Sequence, residues 1–178
     1  MSAHGNGGAR SDLDRHLVLV GMSGAGKSSV GRICAERLGV EFVDADDVLE
    51  ETTGRSIREL FDSEGEPGFR RREHDALVAL LEREEPAVIA SGGGVVLLEE
   101  NRQLLASPRA RVIWLRIEPD ALEQRVRNRT HRPLLDGDPA AALRAMWVER
   151  EPLYREVADA IVSVEHRSVA EVVEAVLR

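Results

Sequence analysis

An α/β fold, with helices on both faces of a parallel sheet, is predicted by three observations. Five short apolar, β-branched runs recur along the chain: HLVLV (16–20), EFVDA (41–45), AVIAS (87–91), RVIWLRI (111–117) and AIVSV (160–164). Helix-compatible sequence separates each run from the next, and that alternation builds parallel sheets from crossover units. Gly- and Asp-rich segments follow three of the runs, where the carboxyl ends of parallel strands meet ligands.

At 178 residues the chain suits one globular domain with a single core. Residues 1–14 are rich in Gly, Ser and charge and lack the apolar stretch of a signal peptide. They are expected to form a flexible tail ahead of one domain spanning 15–178. The lone cysteine, Cys34, excludes an internal disulfide or a multi-cysteine zinc site and reads as helix packing. No apolar run reaches membrane-spanning length, so a cytoplasmic protein without a membrane partner is expected, and a monomer is the expected state. The net charge of −8 and 3% aromatic content argue against a nucleic-acid partner, because such surfaces are basic and stack bases on aromatic rings. A small anionic substrate held by local arginines remains compatible with both.

The first run leads into GMSGAGKSS (21–29). Residues 21–28 fit G-x-x-x-x-G-K-[ST] between a strand and the helical pattern SSVGRICAERLG, which is the context this phosphate-binding loop requires. Gly21, Gly24 and Gly26 let the backbone aim its N–H groups inward, and the following helix adds the positive end of its dipole. Lys27 is the only lysine in a chain that otherwise writes its basic positions as arginine. A compact ammonium on a flexible stem can reach the β- and γ-phosphates of a nucleotide, where a rigid guanidinium is no substitute. Ser28 offers its hydroxyl to Mg²⁺.

The second run ends in Asp44-Ala45-Asp46-Asp47. In a persisting strand Asp44 and Asp46 point to one face, one near a metal and one near an acceptor hydroxyl. The alternative is a helix N-cap with a charged first turn, which covers Asp47 and extends to Asp46 if the strand stops early. In GEPGFRRRE (65–73) an arginine triplet usually marks a solvated helix face, but the neighbouring Phe69 lets Arg70 turn inward. The third run ends in SGGG (91–94) where a Walker-B acid would stand, which argues against a motor or transport ATPase. Such glycines suit close approach of a ligand to backbone, or equally a tight turn. A guanine-reading N-K-x-D segment would need a second lysine, so a GTPase is excluded. Arg125, Arg127, Arg129 and Arg132 then lead into a Pro- and Gly-containing loop, and Arg150 follows in VEREPLYR. Such arginines can fork a carboxylate or clamp phosphates.

Together GMSGAGKSS, VDADD, GEPGFRRRE, SGGG, RPLL and REPLYR, in that order over about residues 16–175, resemble the shikimate kinase family. The resemblance implies a three-layer α/β/α P-loop kinase fold of the nucleoside-monophosphate-kinase type with a five-stranded parallel sheet. It also implies a small substrate-binding subdomain (about 45–75) and a mobile lid (about 125–140). The implied reaction is ATP- and Mg²⁺-dependent phosphorylation of the 3-hydroxyl of shikimate, on the way to chorismate and the aromatic amino acids. Lys27, Asp46 and Arg132 would be catalytic, Asp46 binding the reacting hydroxyl and serving as base. Gly24, Ala25, Gly26, Lys27, Ser28 and Ser29 would hold ATP, with Arg125 and Arg167 flanking adenine and Arg132 swinging in from the lid. Ser28 would ligate Mg²⁺ and Asp44 would lie beside it. Arg70 and Arg150 would grip the substrate carboxylate against Gly92, Gly93 and Gly94, with Gly93 donating its N–H.

Two positions depart from the family pattern. Pro67-Gly68 stands where many relatives carry a bulkier or acidic residue, and Val169 where relatives often have proline against adenine. Another small-metabolite kinase of the same fold, such as a gluconate kinase, is the first alternative, and a non-catalytic nucleotide-binding module the second. The glycine run and the Arg70/Arg150 pair favour shikimate over gluconate. The presence of Asp46, Arg70 and Arg150 together speaks against lost catalysis.

Overall fold

The computed structural model of the chain describes residues 13–126 and 139–178. Most of the expected tail, and the 127–138 stretch of the expected lid with Arg127, Arg129 and Arg132, lie outside the described residues. Leu13, within the segment expected as tail, packs against the core.

All five apolar runs become strands: β1 (His16–Val20), β2 (Glu41–Asp44), β3 (Ala87–Ala90), β4 (Ala110–Arg116) and β5 (Ala160–Ser163). They form one parallel sheet in the order β2-β3-β1-β4-β5. In register, Val18 lies beside Ile89 and Val112, and Asp44 beside Ala90. β1 and β3 are buried at every position, as inner strands covered on both faces must be. The helices are α1 (Lys27–Leu38), α2 (Ala45–Thr53), α3 (Ile57–Leu81), α4 (Glu99–Leu105), α5 (Pro119–Val126), α6 (Pro139–Val157) and α7 (Val169–Val176). They pack as two groups, α1 with α7, and α3, α4, α5 and α6 in a chain of contacts. Between them lies a core in which Trp114 stacks on Tyr154 at 5.7 Å, both rings fully buried. Cys34 is part of this core, and burial pushes its thiol up to about 11, which suits the packing role.

Local chemistry sets the helix starts. Ser56 with Glu59 and Ser168 with Glu171 form capping boxes ahead of α3 and α7. The Val169 that departs from the family pattern is the first residue of α7, so the serine before it begins the helix without need of a proline. α3 is broken at Gly65, whose φ of 67° and ψ of 177° are not helical. Pro67 stands just beyond, where a new helical start tolerates its missing N–H. Leu49, Leu60 and Phe69 form a second small cluster between α2 and α3. The second half of α3 thereby turns Phe69, Arg70 and Glu73 inward.

Candidate active site

The carboxyl ends of β1, β2 and β3 lie side by side because these strands are neighbours in the sheet. The loop 21–26 leaves β1 and enters α1 at Gly26, whose φ of 99° only glycine adopts without strain. α1 has neither a side-chain cap nor an acidic residue in its first turn, as suits a helix start that faces an anion. Lys27 is buried, and its Nζ donates to the carbonyls of Gly21 at 2.8 Å and Met22 at 3.1 Å. The ammonium is thus folded over the loop in which phosphates would lie. Ser28 Oγ donates to Asp44 Oδ2 at 2.6 Å. Among the described residues no group of three or more His, Cys, Asp or Glu could hold a metal by itself. A cation beside Ser28 would therefore depend on phosphate oxygens and water, which is how Mg²⁺ is commonly held.

β2 stops at Asp44, which corrects the expectation that a persisting strand aims Asp44 and Asp46 to one face. Asp44 is the N-cap of α2 and accepts from the Asp46 amide at 3.1 Å, while Asp46 and Asp47 fill the first helical turn. The helix N-terminus, rather than strand alternation, brings Asp46 to the site. Burial raises the Asp46 carboxyl to about 6; Lys27 opposes the shift, and the charges of Asp44, Glu73 and Asp47 add to it. Asp47 points outward and lies 3.8 Å from Arg32, both largely exposed.

The glycine run after β3 forms the opposite wall. A Cβ at Gly92 would lie 2.3 Å from Glu73 Oε1 and 3.2 Å from Asp46 Oδ1, and one at Gly94 would lie 2.1 Å from Arg70 Nη1. A side chain at Gly92 or Gly94 would therefore displace the Glu73 carboxylate or the Arg70 guanidinium, while the turn itself holds none of the three glycines at positive φ. Arg70 is buried, donates from Nη1 to Glu73 at 2.7 Å, and lies 5.2 Å from the Phe69 ring centre. Arg71 is exposed, and Arg72 is drawn back to Glu64 by two hydrogen bonds at 2.7 and 2.8 Å. Arg150 comes in from α6, buried, donating from Nη1 to the Gly93 carbonyl at 3.2 Å while its buried Nε makes no hydrogen bond. Tyr154, one turn later, also donates to the Gly93 carbonyl.

Glu73 and Tyr154 were not singled out by sequence. Both had a readable signal, since Glu73 is one turn from Arg70 and Tyr154 one turn from Arg150. Burial pushes the Glu73 carboxyl up and Arg70 pulls it back, and its Oε1 is buried without a hydrogen-bond partner. Two guanidinium groups and one carboxylate thus converge on a glycine turn beside Asp46, a cleft that can orient a small molecule bearing a carboxylate and a hydroxyl.

On the other side of the phosphate loop a pocket of about 280 Å³ is bounded by Gly24, Ala25, Gly26 and Ser29, and across from them by Arg125, Arg167 and Val169. Arg125 is anchored by donation to the Val164 carbonyl at 2.7 Å. Two of the expected nucleotide arginines therefore share one pocket. The third, Arg132, lies outside the described residues.

Residues 23–178 match the family model described as Shikimate kinase. The shikimate kinase of Symbiobacterium thermophilum is 44% identical over 165 residues, covering 91% of this chain and 94% of that protein. That of Ruegeria pomeroyi is 42% identical over 173 residues, 97% of this chain and 87% of its own length. Among solved structures, the shikimate kinase from Acinetobacter baumannii in complex with shikimate matches with a TM-score of 0.87 at 38% identity, over 94% of this chain and 92% of that one. A gluconokinase from Sinorhizobium meliloti reaches a TM-score of 0.62 at 22% identity over 92% and 89% of the two chains, a likeness of fold alone.

Proposed function

The chain belongs to the shikimate kinase family, and on that premise we propose that it moves the γ-phosphate of ATP to the 3-hydroxyl of shikimate, releasing shikimate 3-phosphate and ADP. The observation that carries this reading is the convergence of buried Arg70 and Arg150 on the Gly92–Gly94 turn beside Asp46.

Each residue then has a task. The N–H groups of Gly24, Ala25, Gly26 and the start of α1 seat the phosphates, and Lys27 trades the Gly21 and Met22 carbonyls for phosphate oxygens. Ser28, backed by Asp44, would hold Mg²⁺, which when bound neutralises phosphate charge. Arg125 and Arg167 flank the base, and Ser29 borders the same pocket. Arg132 is proposed to reach the phosphates from the lid. Arg70 and Arg150 fork the shikimate carboxylate, Gly93 donates its N–H to the substrate, and Arg150 with Tyr154 holds the Gly93 carbonyl away. Asp46 accepts the proton of the 3-hydroxyl as the new O–P bond forms and the bond from the γ-phosphorus to ADP breaks. Each of these groups comes from one chain, so a monomer is sufficient.

ATP consumption by the purified protein with shikimate, with gluconate and with neither tests the assignment. Consumption that depends on shikimate alone is expected; equal turnover with gluconate would overturn it. Arg70→Ala and Arg150→Ala are each expected to weaken shikimate binding by about 2–5 kcal/mol, because a partly buried carboxylate loses its partner. ATP affinity measured without shikimate should stay unchanged, and equal damage to both ligands would make these arginines structural. Gly94→Ala is expected to act in the same direction, since its Cβ would occupy the place of the Arg70 guanidinium.

A further inference from the structure

Behind the glycine turn stands a pair of side chains with no task in the chemistry of the site. Asn101 on α4 is fully buried; its Nδ2 donates to the Val95 carbonyl at 2.9 Å, and its Oδ1 lies 2.8 Å from Nδ1 of His74 on α3. A backbone carbonyl only accepts, so the amide nitrogen must face Val95 and the amide oxygen must face His74. An amide oxygen also only accepts, so His74 carries a proton on Nδ1. The hydrogen bonds therefore run in one direction, from α3 through α4 to the end of the glycine turn.

Both ends of this chain adjoin the acceptor site. His74 follows Glu73, the carboxylate that holds Arg70. Val95 follows Gly94, and its amide closes the turn by donating to the Gly92 carbonyl at 3.3 Å. The next residue of α4, Arg102, donates to the Val96 carbonyl at 2.8 Å, so α4 grips two consecutive carbonyls of the turn. The His74–Asn101 bond carries that grip across to α3. The Arg70 guanidinium lies directly against the turn, so that a Cβ at Gly94 would fall 2.1 Å from its Nη1. A shift of α3 against the turn would change how Arg70 presents its fork.

We propose that His74 and Asn101 are positioning residues that set the distance between Arg70 on α3 and the glycine turn, and thereby the fit of the shikimate carboxylate. This rests on the proposed role of Arg70 as part of the carboxylate fork. Steady-state kinetics of His74→Leu and His74→Gln, with Arg70→Ala alongside, test it. His74→Leu is expected to raise the KM for shikimate about tenfold, the worth of one neutral hydrogen bond. The KM for ATP should not change and kcat should stay within about twofold. His74→Gln, whose amide N–H can donate to Asn101 Oδ1, is expected to bring the shikimate KM back to within about threefold of the parent. A shikimate KM unmoved in His74→Leu while Arg70→Ala raises it would overturn the positioning role alone. The role also falls if the ATP KM rises in parallel, or if Gln rescues no better than Leu, since either marks plain packing. If Arg70→Ala too leaves the shikimate KM unmoved, the carboxylate fork itself is wrong and the positioning role falls with it.

Discussion

Asp46→Asn is expected to lower kcat by about 10²–10⁴, the usual worth of a positioned general base. A loose phosphoryl transition state asks more for orientation of the hydroxyl than for proton removal, which favours the low end of that range. The parent kcat/KM for shikimate should fall as pH drops through about 6, where the Asp46 carboxyl of the free protein takes up its proton, and Asp46→Asn should lack that acid limb. Stability should move the other way. The folded-state value is raised from 3.8 to about 6, so the fold favours the protonated form. That contribution is complete below about pH 4 and is lost as pH rises through 6. Above pH 6 the ionised carboxylate therefore costs stability, on the order of 1–3 kcal/mol, and asparagine removes the cost. Asp46→Asn should melt higher than the parent at pH 8 and match it near pH 4. A mutant that retained the acid limb, or whose melting difference ignored pH, would remove Asp46 from the base role. Asp47→Asn, outside the site and partnered by exposed Arg32, should leave kcat nearly unchanged.

Lys27→Arg keeps the charge and is still expected to cost about 10²–10³ in kcat, the worth of one preorganised donor aimed at developing charge. Lys27 is 8% exposed and its ammonium sits within hydrogen-bond distance of two carbonyls of its own loop. A planar fork is wider than a point ammonium and does not fit between loop and phosphates without moving one of them. The shikimate KM should change little, because the acceptor wall is built by α3, α6 and the turn after β3. Near-parent turnover in Lys27→Arg, measured at saturating ATP and shikimate, would show that this position needs only positive charge.

The residues at these positions were legible in sequence to different depths. Lys27 was readable because its loop is contiguous, and the strand before and helix after it confirm it locally. Arg70 was separable from Arg71 and Arg72 only through the apolar neighbour Phe69, a weak signal. The structure supplies the stronger one, a buried Arg70 guanidinium lying where a Cβ at Gly94 would project. Sequence left the strand-end aspartates open between a strand face and a helix start, since a two-residue spacing describes a strand face only while the strand lasts. It ends at Asp44, whose side chain is taken up in capping α2. Asn101 gave no sign at all, because a single asparagine on a helix looks like surface until its packing is known.

By itself the sequence determined the phosphate loop, the five strands and the family to which the chain belongs. These are local or contiguous: periodicity and the G-x-x-x-x-G-K-S spacing act through neighbours a few positions apart. Only the tertiary structure decided the strand order, in which β3 lies between β2 and β1. That order brings Asp46, the Gly92–Gly94 turn and Lys27 together. It also decided that Arg150 meets Gly93, 57 positions away along the chain. Such pairings are selected by how buried faces fit across the whole core, a global condition that spacing along the chain does not carry.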